Sequence, residues 1–364
     1  MSDMTTSWHT WREIHAQPDI WRDWEPVLAH DLPGHLDWID GLEIDEIWLS
    51  GAGTSAYIGD IVADAYPRFG KKSVRAVAST DIVANPAQYL GQAARPLIVN
   101  FGRSGNSAES IGVLDAIAAI APDTPCLNIT CNPDGTLAQQ DPSARCRVIT
   151  LPERTHDAGF AMTSSFSTMV LTALSLFKPK SAKAPPLADI ASAAVTLLPE
   201  VVQWAKDLPI ADRIVFVGTG PLRFAAREAA LKVLELSAGQ IPALWDSSLG
   251  FRHGPKSFMT DQTVAVVMCS GQCHPARYDI DLLAELRNQF PAENIFAIGP
   301  NSAPLTIPSS VPDEWATVLH VLVAQVLGVV WAARLGLNVD DPFQGQGTLS
   351  RVVSGVKLYS PDAA

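Results

Sequence analysis

Hydrophobic and polar positions change rhythm once along the chain. The first forty or so residues follow a helical period, with Trp8, Trp11, Ile14 and His15 on one face. A second helical segment is predicted from Asp19 to Leu28. Beyond that, short apolar runs alternate with longer amphipathic stretches. Ile47–Ser50, Val74–Ala78, Leu97–Phe101, Cys126–Thr130 and Val148–Leu151 are short and rich in apolar or β-branched residues, which predicts strands. Ser55–Phe69 and Ser107–Ile120 read as helices between them. Such alternation implies βαβ units and a parallel sheet.

The second half repeats the scheme, with strands predicted at Ile214–Val217, Val264–Met268 and Ile295–Ile298 and helices at Leu222–Leu236 and Glu314–Leu335. Ile47-Trp-Leu-Ser-Gly-Ala-Gly53 aligns with Ile214-Val-Phe-Val-Gly-Thr-Gly220 at an offset of 167, and Ser104-Gly105 with Ser270-Gly271 at 166. Two matches at nearly one offset suggest duplication. The expected organisation is a helical segment (1–40), a first α/β domain (41–180), a linker and helix (181–205), a second α/β domain (206–340) and a tail (341–364).

Composition narrows the class. At 364 residues and 47% hydrophobic, the chain can fill two cores. No apolar run is expected to reach the roughly 20 residues needed to span a bilayer. The Trp-rich, charged N-terminus does not resemble a signal peptide, so the expected compartment is the cytoplasm. Five scattered cysteines suggest reduced thiols. Cys269, Cys273 and His274 lack a second ligand pair, so no metal is expected. The net charge of −12 disfavours nucleic acid as a partner and leaves room for a small anion.

Two loops suggest where such an anion binds. Gly51-Ala-Gly-Thr-Ser-Ala-Tyr57 joins a strand to a helix, and Thr54 and Ser55 add hydroxyls beside the free N–H groups of the helix N-terminus. Gly102-Arg-Ser-Gly-Asn-Ser107 repeats the arrangement after the third strand, with Arg103, Ser104, Asn106 and Ser107 as donors. In an open parallel sheet, loops after the first and third strands meet where the strand order reverses. Gly51-x-Gly53-x-x-Ala56 also fits a dinucleotide fingerprint. It lacks the acidic residue about 20 positions on that would hold a ribose, and the excess of hydroxyls favours a sugar phosphate.

Gly-x-Gly-Thr-Ser and Ser-Gly-Asn-Ser, in a duplicated α/β unit, resemble the sugar isomerase (SIS) domain, a flavodoxin-like five-stranded parallel sheet that binds phosphosugars. The resemblance runs from about Ile44 to Leu358. Phe101–Ser110, Ser247-Ser-Leu-Gly-Phe-Arg-His-Gly-Pro-Lys256 and Arg351-Val-Val-Ser-Gly-Val-Lys-Leu-Tyr359 are similar to the AgaS family of tandem-SIS galactosamine-6-phosphate deaminase/isomerases. The implied fold is α/β, with two SIS domains and a short N-terminal helical segment.

Aldose–ketose interconversion needs one group to open the ring and another to move a carbon-bound proton. Glu228, Lys232 and Glu235 fall at i, i+4 and i+7, on one helix face, a spacing that by itself reads as a solvated stripe. The related synthase branch carries a similar Glu-x-x-x-Lys-x-x-Glu helix and a His-Gly-Pro loop. That resemblance implies Glu235 as the enediol base, Glu228 and Lys232 as supporting groups, and His253 as the ring-opening acid/base. It further implies a homodimer or larger assembly in which His253 reaches a neighbouring subunit's site. Arg351, where the synthases have lysine, favours the AgaS-like assignment and a tail that completes the site. Ser164, within Thr163-Ser164-Ser165, is expected to cap a helix and border the sugar. His156 and Asp157 read as a solvated loop. In the second copy, Pro221 and Leu222 stand where Thr54 and Ser55 stand in the first, so the second domain is expected to carry acid/base groups rather than a second phosphate.

The expected activity is conversion of galactosamine 6-phosphate to tagatose 6-phosphate and ammonia, without cofactor. Glucosamine 6-phosphate as substrate, ketose/aldose isomerisation without deamination, and a phosphosugar-sensing regulator are the alternatives. A DNA-reading regulator would add a helix-turn-helix domain, and a synthase a glutaminase domain with an N-terminal cysteine. About forty Trp-rich residues before the first predicted strand and an acidic chain disfavour the regulator, and a start at Met1-Ser2-Asp3 is expected to disfavour the synthase.

Overall fold

A computed structural model describes residues 7–91, 94–141, 145–353 and 355–360. Of the segments singled out in the sequence, Met1–Thr6, Ser354 and Pro361–Ala364 lie outside the described residues. The chain forms two compact units. One comprises Asp23–Asp157, Ser164–Ala184 and the tail from Gln346; the other comprises the chain up to Arg22, Ala158–Thr163 and Pro185–Gly345.

The N-terminal segment is one helix, His9–Asp40, rather than two. It runs through Pro18, Pro26 and Pro33, residues that normally break helices because they lack an N–H. At Pro18 the loss is compensated locally: Gln17 Nε2 donates to the Ile14 carbonyl at 3.1 Å, the acceptor that Pro18 cannot serve. At its start, the Asp340 carboxylate accepts from His9 N, Thr10 N and Thr10 Oγ1 at 2.8–2.9 Å, supplying the cap from far along the chain.

In the Asp23–Asp157 unit the strands are β1 (Glu46–Ser50), β2 (Arg68–Phe69), β3 (Lys72–Ala76), β4 (Pro96–Gly102), β5 (Cys126–Thr130) and β6 (Cys146–Thr150). They form one sheet in the order β2-β3-β1-β4-β5-β6. The five long strands are parallel in the flavodoxin-like order, and only β2 pairs antiparallel, with β3. Because β2 takes Arg68–Phe69, the first helix ends at Ala65 instead of Phe69. The central strands are buried along their length, as expected of a parallel sheet covered on both faces. The order reverses between β1 and β4, whose last residues pair as Ser50 with Asn100. The two small-polar loops leave the sheet there.

The other unit contains β7 (Arg213–Gly218), β8 (Ala243–Ser247), β9 (Thr263–Met268) and β10 (Ile295–Ile298), ordered β10-β9-β7-β8 and all parallel. This is the first sheet's order with four strands in place of five. The duplication extends to backbone detail. Gly53 and Gly220, each the residue before its helix, have φ/ψ of 55/−129° and 58/−137°. A side chain at Gly51 would meet Ser55 Cβ at 2.5 Å, and one at Gly218 would meet Leu222 at 2.9 Å. Both turns therefore require glycine for the same close approach of helix to strand.

The helix Asp313–Arg334 is long and apolar enough to cross a membrane, contrary to the sequence expectation. Nearly all of it is buried, and it packs on the helices Pro221–Leu236 and Leu187–Asp207 of its own unit, which accounts for its composition without a bilayer.

Candidate active site

The two small-polar loops of the first sheet are shaped by buried side chains and by hydrogen bonds from their neighbours. Thr54 and Ser55 open the Thr54–Ala65 helix and are both buried, beneath the exposed Gly53. On the second loop, Gly105 turns the chain at φ 66°. Asn132 Nδ2 donates to the Ser104 carbonyl at 2.9 Å, and Asn106 Oδ1 accepts from Thr136 N and Oγ1 at 2.8 and 3.0 Å. Ser104 Oγ accepts from Asn106 N at 3.2 Å, while Ser107 caps the next helix through its contacts with Ser110. Part of the predicted donor set thus shapes the loop itself.

Positive charge is concentrated here despite the acidic chain. Arg103 is buried, and its Nη2 donates to the Arg351 carbonyl at 2.8 Å. Arg351 in turn donates through Nη2 to the Asp157 carbonyl. His156 feels both guanidiniums: burial lowers its pKa most, and Arg351 and Arg103 lower it further. A neutral imidazole beside two fixed cations suits a site that receives a phosphate.

Asp157 corrects the expectation of a solvated loop. It is fully buried, and its carboxylate accepts from Ser164 N at 2.9 Å, Ser165 N at 3.0 Å and Ser165 Oγ at 2.5 Å. It caps the Ser164–Phe177 helix from outside, using amides a helix N-terminus cannot pair internally. Ser164 is likewise buried, with its amide committed to that cap. An acidic residue six positions before a Thr-Ser-Ser run was the available signal in the sequence.

The other four predicted residues, Glu228, Lys232, Glu235 and His253, belong to the second sheet's unit. The helix Pro221–Leu236 carries Glu228, Lys232 and Glu235, and the solvated-stripe reading fails for it. Lys232 and Glu228 are fully buried, and Glu235 keeps 25% side-chain exposure. Lys232 Nζ lies 3.2 Å from Glu228 Oε1 and 2.6 Å from Glu235 Oε2. Burial is the largest single influence on Lys232 and pulls its pKa down, but the two carboxylates together outweigh it and the net shift is upward. Lys232 is therefore a fixed cation that aims the one carboxylate of the trio reaching the surface.

His253 is exposed, at the end of the turn Gly250–His253. Its neighbours pin the turn: Arg252 Nε and Lys256 Nζ both bind Glu285, at 2.7 and 2.5 Å. Gly254, at φ 130°, provides the bend that only glycine adopts without strain. The predicted non-ligands Cys269 and Cys273 diverge, Cys269 being buried with its thiol pushed up to about 12 and Cys273 exposed.

Comparison with known proteins agrees with this architecture. The SIS domain family matches residues 43–178. The D-galactosamine-6-phosphate deaminase AgaS of Escherichia coli is 38% identical, over 98% of this chain and 96% of its own. Its namesake in Shewanella sp. (strain ANA-3) is 36% identical over 96% and 91%. The crystal structure of tagatose-6-phosphate ketose/aldose isomerase from Escherichia coli matches with a TM-score of 0.88 at 35% identity, covering 98% of both chains. Glucosamine-6-phosphate deaminase from Thermotoga maritima shares the fold, with a TM-score of 0.78 at 20% identity. The SIS topology, the loops at its switch point and near-full-length identity to these enzymes lead to one conclusion: the chain belongs to the AgaS family of SIS-domain proteins.

Proposed function

We propose that the protein is an amino-sugar 6-phosphate deaminase/isomerase, converting galactosamine 6-phosphate and water to tagatose 6-phosphate and ammonia. The observation that carries this reading is the braced Glu235 carboxylate, in a chain 38% identical to a galactosamine-6-phosphate deaminase. The phosphate is received by the Gly53-Thr54-Ser55 helix start and by Arg103, Ser104, Asn106 and Ser107, with Arg351 and Ser164 bordering it. His253 moves a proton from the C1 hydroxyl to the ring oxygen, opening the ring to an aldehyde. Glu235 takes the C2 proton and returns it at C1, which leaves an imine at C2. Water adds to that carbon, ammonia departs, and the ketose remains. Lys232 orients Glu235, and Glu228 balances its charge.

The same proton transfer on a substrate without the amine is a ketose/aldose isomerisation, the reaction named for the Escherichia coli structural relative. We further propose a homodimer or larger assembly in which the exposed His253 serves a neighbouring subunit. Glu235→Gln tests the assignment: turnover of galactosamine 6-phosphate is lost while phosphosugar binding is retained. Full activity in that variant would remove Glu235 from the mechanism.

A further inference from the structure

Three loops at the carboxyl edge of the second sheet converge on one carboxylate. Asp279, on the helix Cys273–Gln289, is fully buried. Its Oδ1 accepts from Thr219 Oγ1 at 2.6 Å and from Ser248 Oγ at 2.5 Å, and its Oδ2 accepts from Ser270 N at 2.9 Å. A second carboxylate continues the network. Asp313 accepts from Ser270 Oγ at 2.5 Å and from Gly271 N at 2.7 Å.

The places these donors occupy in the chain give the network its meaning. Thr219 lies between Gly218 and Gly220, directly before the helix that carries Glu228, Lys232 and Glu235. Ser248 directly follows β8 and leads into the turn that ends at His253. Thr219 and Ser270 stand at the duplicated equivalents of the two anion loops, Gly51–Gly53 and Ser104–Gly105. In the first sheet those loops offer donors to an anion from outside; in the second, the chain supplies its own. Burying a carboxylate is costly unless hydrogen bonds satisfy it, and here three donors from three loops do so. Burial still raises the Asp279 pKa against the pull of those donors.

We infer that Asp279 is a positioning residue: filling the second sheet's anion cradle, it ties the Glu235 helix to the His253 turn before any sugar arrives. Asp313 fixes Ser270 and so steadies the third corner. This rests on the reading of Glu235 and His253 as the acid/base groups. It explains why the second copy can dispense with a bound phosphate and still hold a defined loop geometry.

The test uses the full-length enzyme with Asp279→Asn, Thr219→Val, Ser248→Ala and the Thr219→Val/Asp279→Asn pair. Ammonia release from galactosamine 6-phosphate gives kcat and KM, and amide hydrogen exchange reports the loops. Misplacing a catalytic group by about 1 Å costs on the order of 100-fold. Asp279→Asn is therefore expected to lower kcat by roughly 10- to 100-fold with KM within about threefold, since the phosphate loops are untouched. Thr219→Val and Ser248→Ala each give part of that loss, and Thr219→Val adds nothing on the Asp279→Asn background. Exchange rises at residues 218–222 and 247–254 and stays unchanged at 51–57 and 102–107. Unchanged kcat, a rise in KM alone, additive effects, or exchange changing in only one of the two segments would overturn the inference. A wild-type enzyme that releases no ammonia would defeat the functional reading instead, and exchange in the variants would still decide the coupling. Should Asp279→Asn not fold, Thr219→Val and Ser248→Ala carry the test, and normal kcat with normal exchange in both would overturn it.

Discussion

Replacing Lys232 by methionine removes the cation between two carboxylates and keeps an unbranched side chain only one atom shorter. Glu228 is fully buried 3.2 Å from Lys232 Nζ, so the substitution removes that ion pair from a buried carboxylate. Breaking a buried pair from one side typically costs about 3–5 kcal/mol, because a buried charge loses its counter-charge. Glu235 contributes less to that cost, being a quarter exposed and able to turn toward solvent. At roughly 2–4 °C per kcal/mol for a unit of this size, the melting transition of the second sheet's unit should fall by about 6–20 °C. The loss should shrink as pH falls, because losing a counter-charge favours the protonated form of the buried Glu228 in the folded state. Pairing Lys232→Met with Glu228→Gln should restore most of the stability and none of the ammonia release. Thermal unfolding followed by circular dichroism at a series of pH values measures both effects. A Lys232→Met enzyme that melts within about 2 °C of wild type at every pH would refute the buried-cation argument.

Other outcomes follow from the same geometry. Gly51→Ala places a methyl group 2.5 Å from Ser55 Cβ, so the helix start must move; KM for the phosphosugar should rise well beyond any change in kcat, measurable by steady-state kinetics. Mixing Glu235→Gln and His253→Ala subunits should regenerate activity if His253 crosses between subunits, whereas a mixture as inactive as its parents would confine both groups to one chain. Burial raises the Asp279 pKa, so the folded state holds that proton more tightly than the unfolded chain. Its contribution to stability therefore grows as pH falls through the raised value, from above the ordinary carboxylate range of about 4, and is lost as pH rises. Urea melts of wild type against Asp279→Asn should show that slope in wild type alone.

The glycine turns of the small-polar loops were legible because backbone geometry dictates their composition. A strand that turns at once into a helix needs Gly51 and Gly53, and the duplicated Gly218 and Gly220 fall into the same turn. The long parallel strands were legible as unbroken apolar runs. Strand β8 was not: Ala243-Leu-Trp-Asp-Ser247 is only partly buried along its length and carries no such run. Charged residues misled for a related reason. Spacing alone gives Glu228, Lys232 and Glu235 as a surface stripe, and only tertiary packing of their helix on Asp313–Arg334 reveals that the face is internal. Asp157 and Asp279 likewise look like loop and helix surface in sequence. Their burial depends on donors 7 to 60 residues away, which no local pattern encodes. Proline misled in the opposite direction, since the helix through Pro18 survives on a side-chain donor from Gln17.

The central claim is deamination of an amino-sugar phosphate. Galactosamine 6-phosphate and glucosamine 6-phosphate, each incubated with the purified enzyme, should be assayed for ammonia and for ketose 6-phosphate together. The account predicts equimolar ammonia and tagatose 6-phosphate from the galacto substrate, at a higher kcat/KM than from the gluco epimer. Silence on both, with turnover of tagatose 6-phosphate to an aldose, would contradict it and assign the site to isomerisation alone.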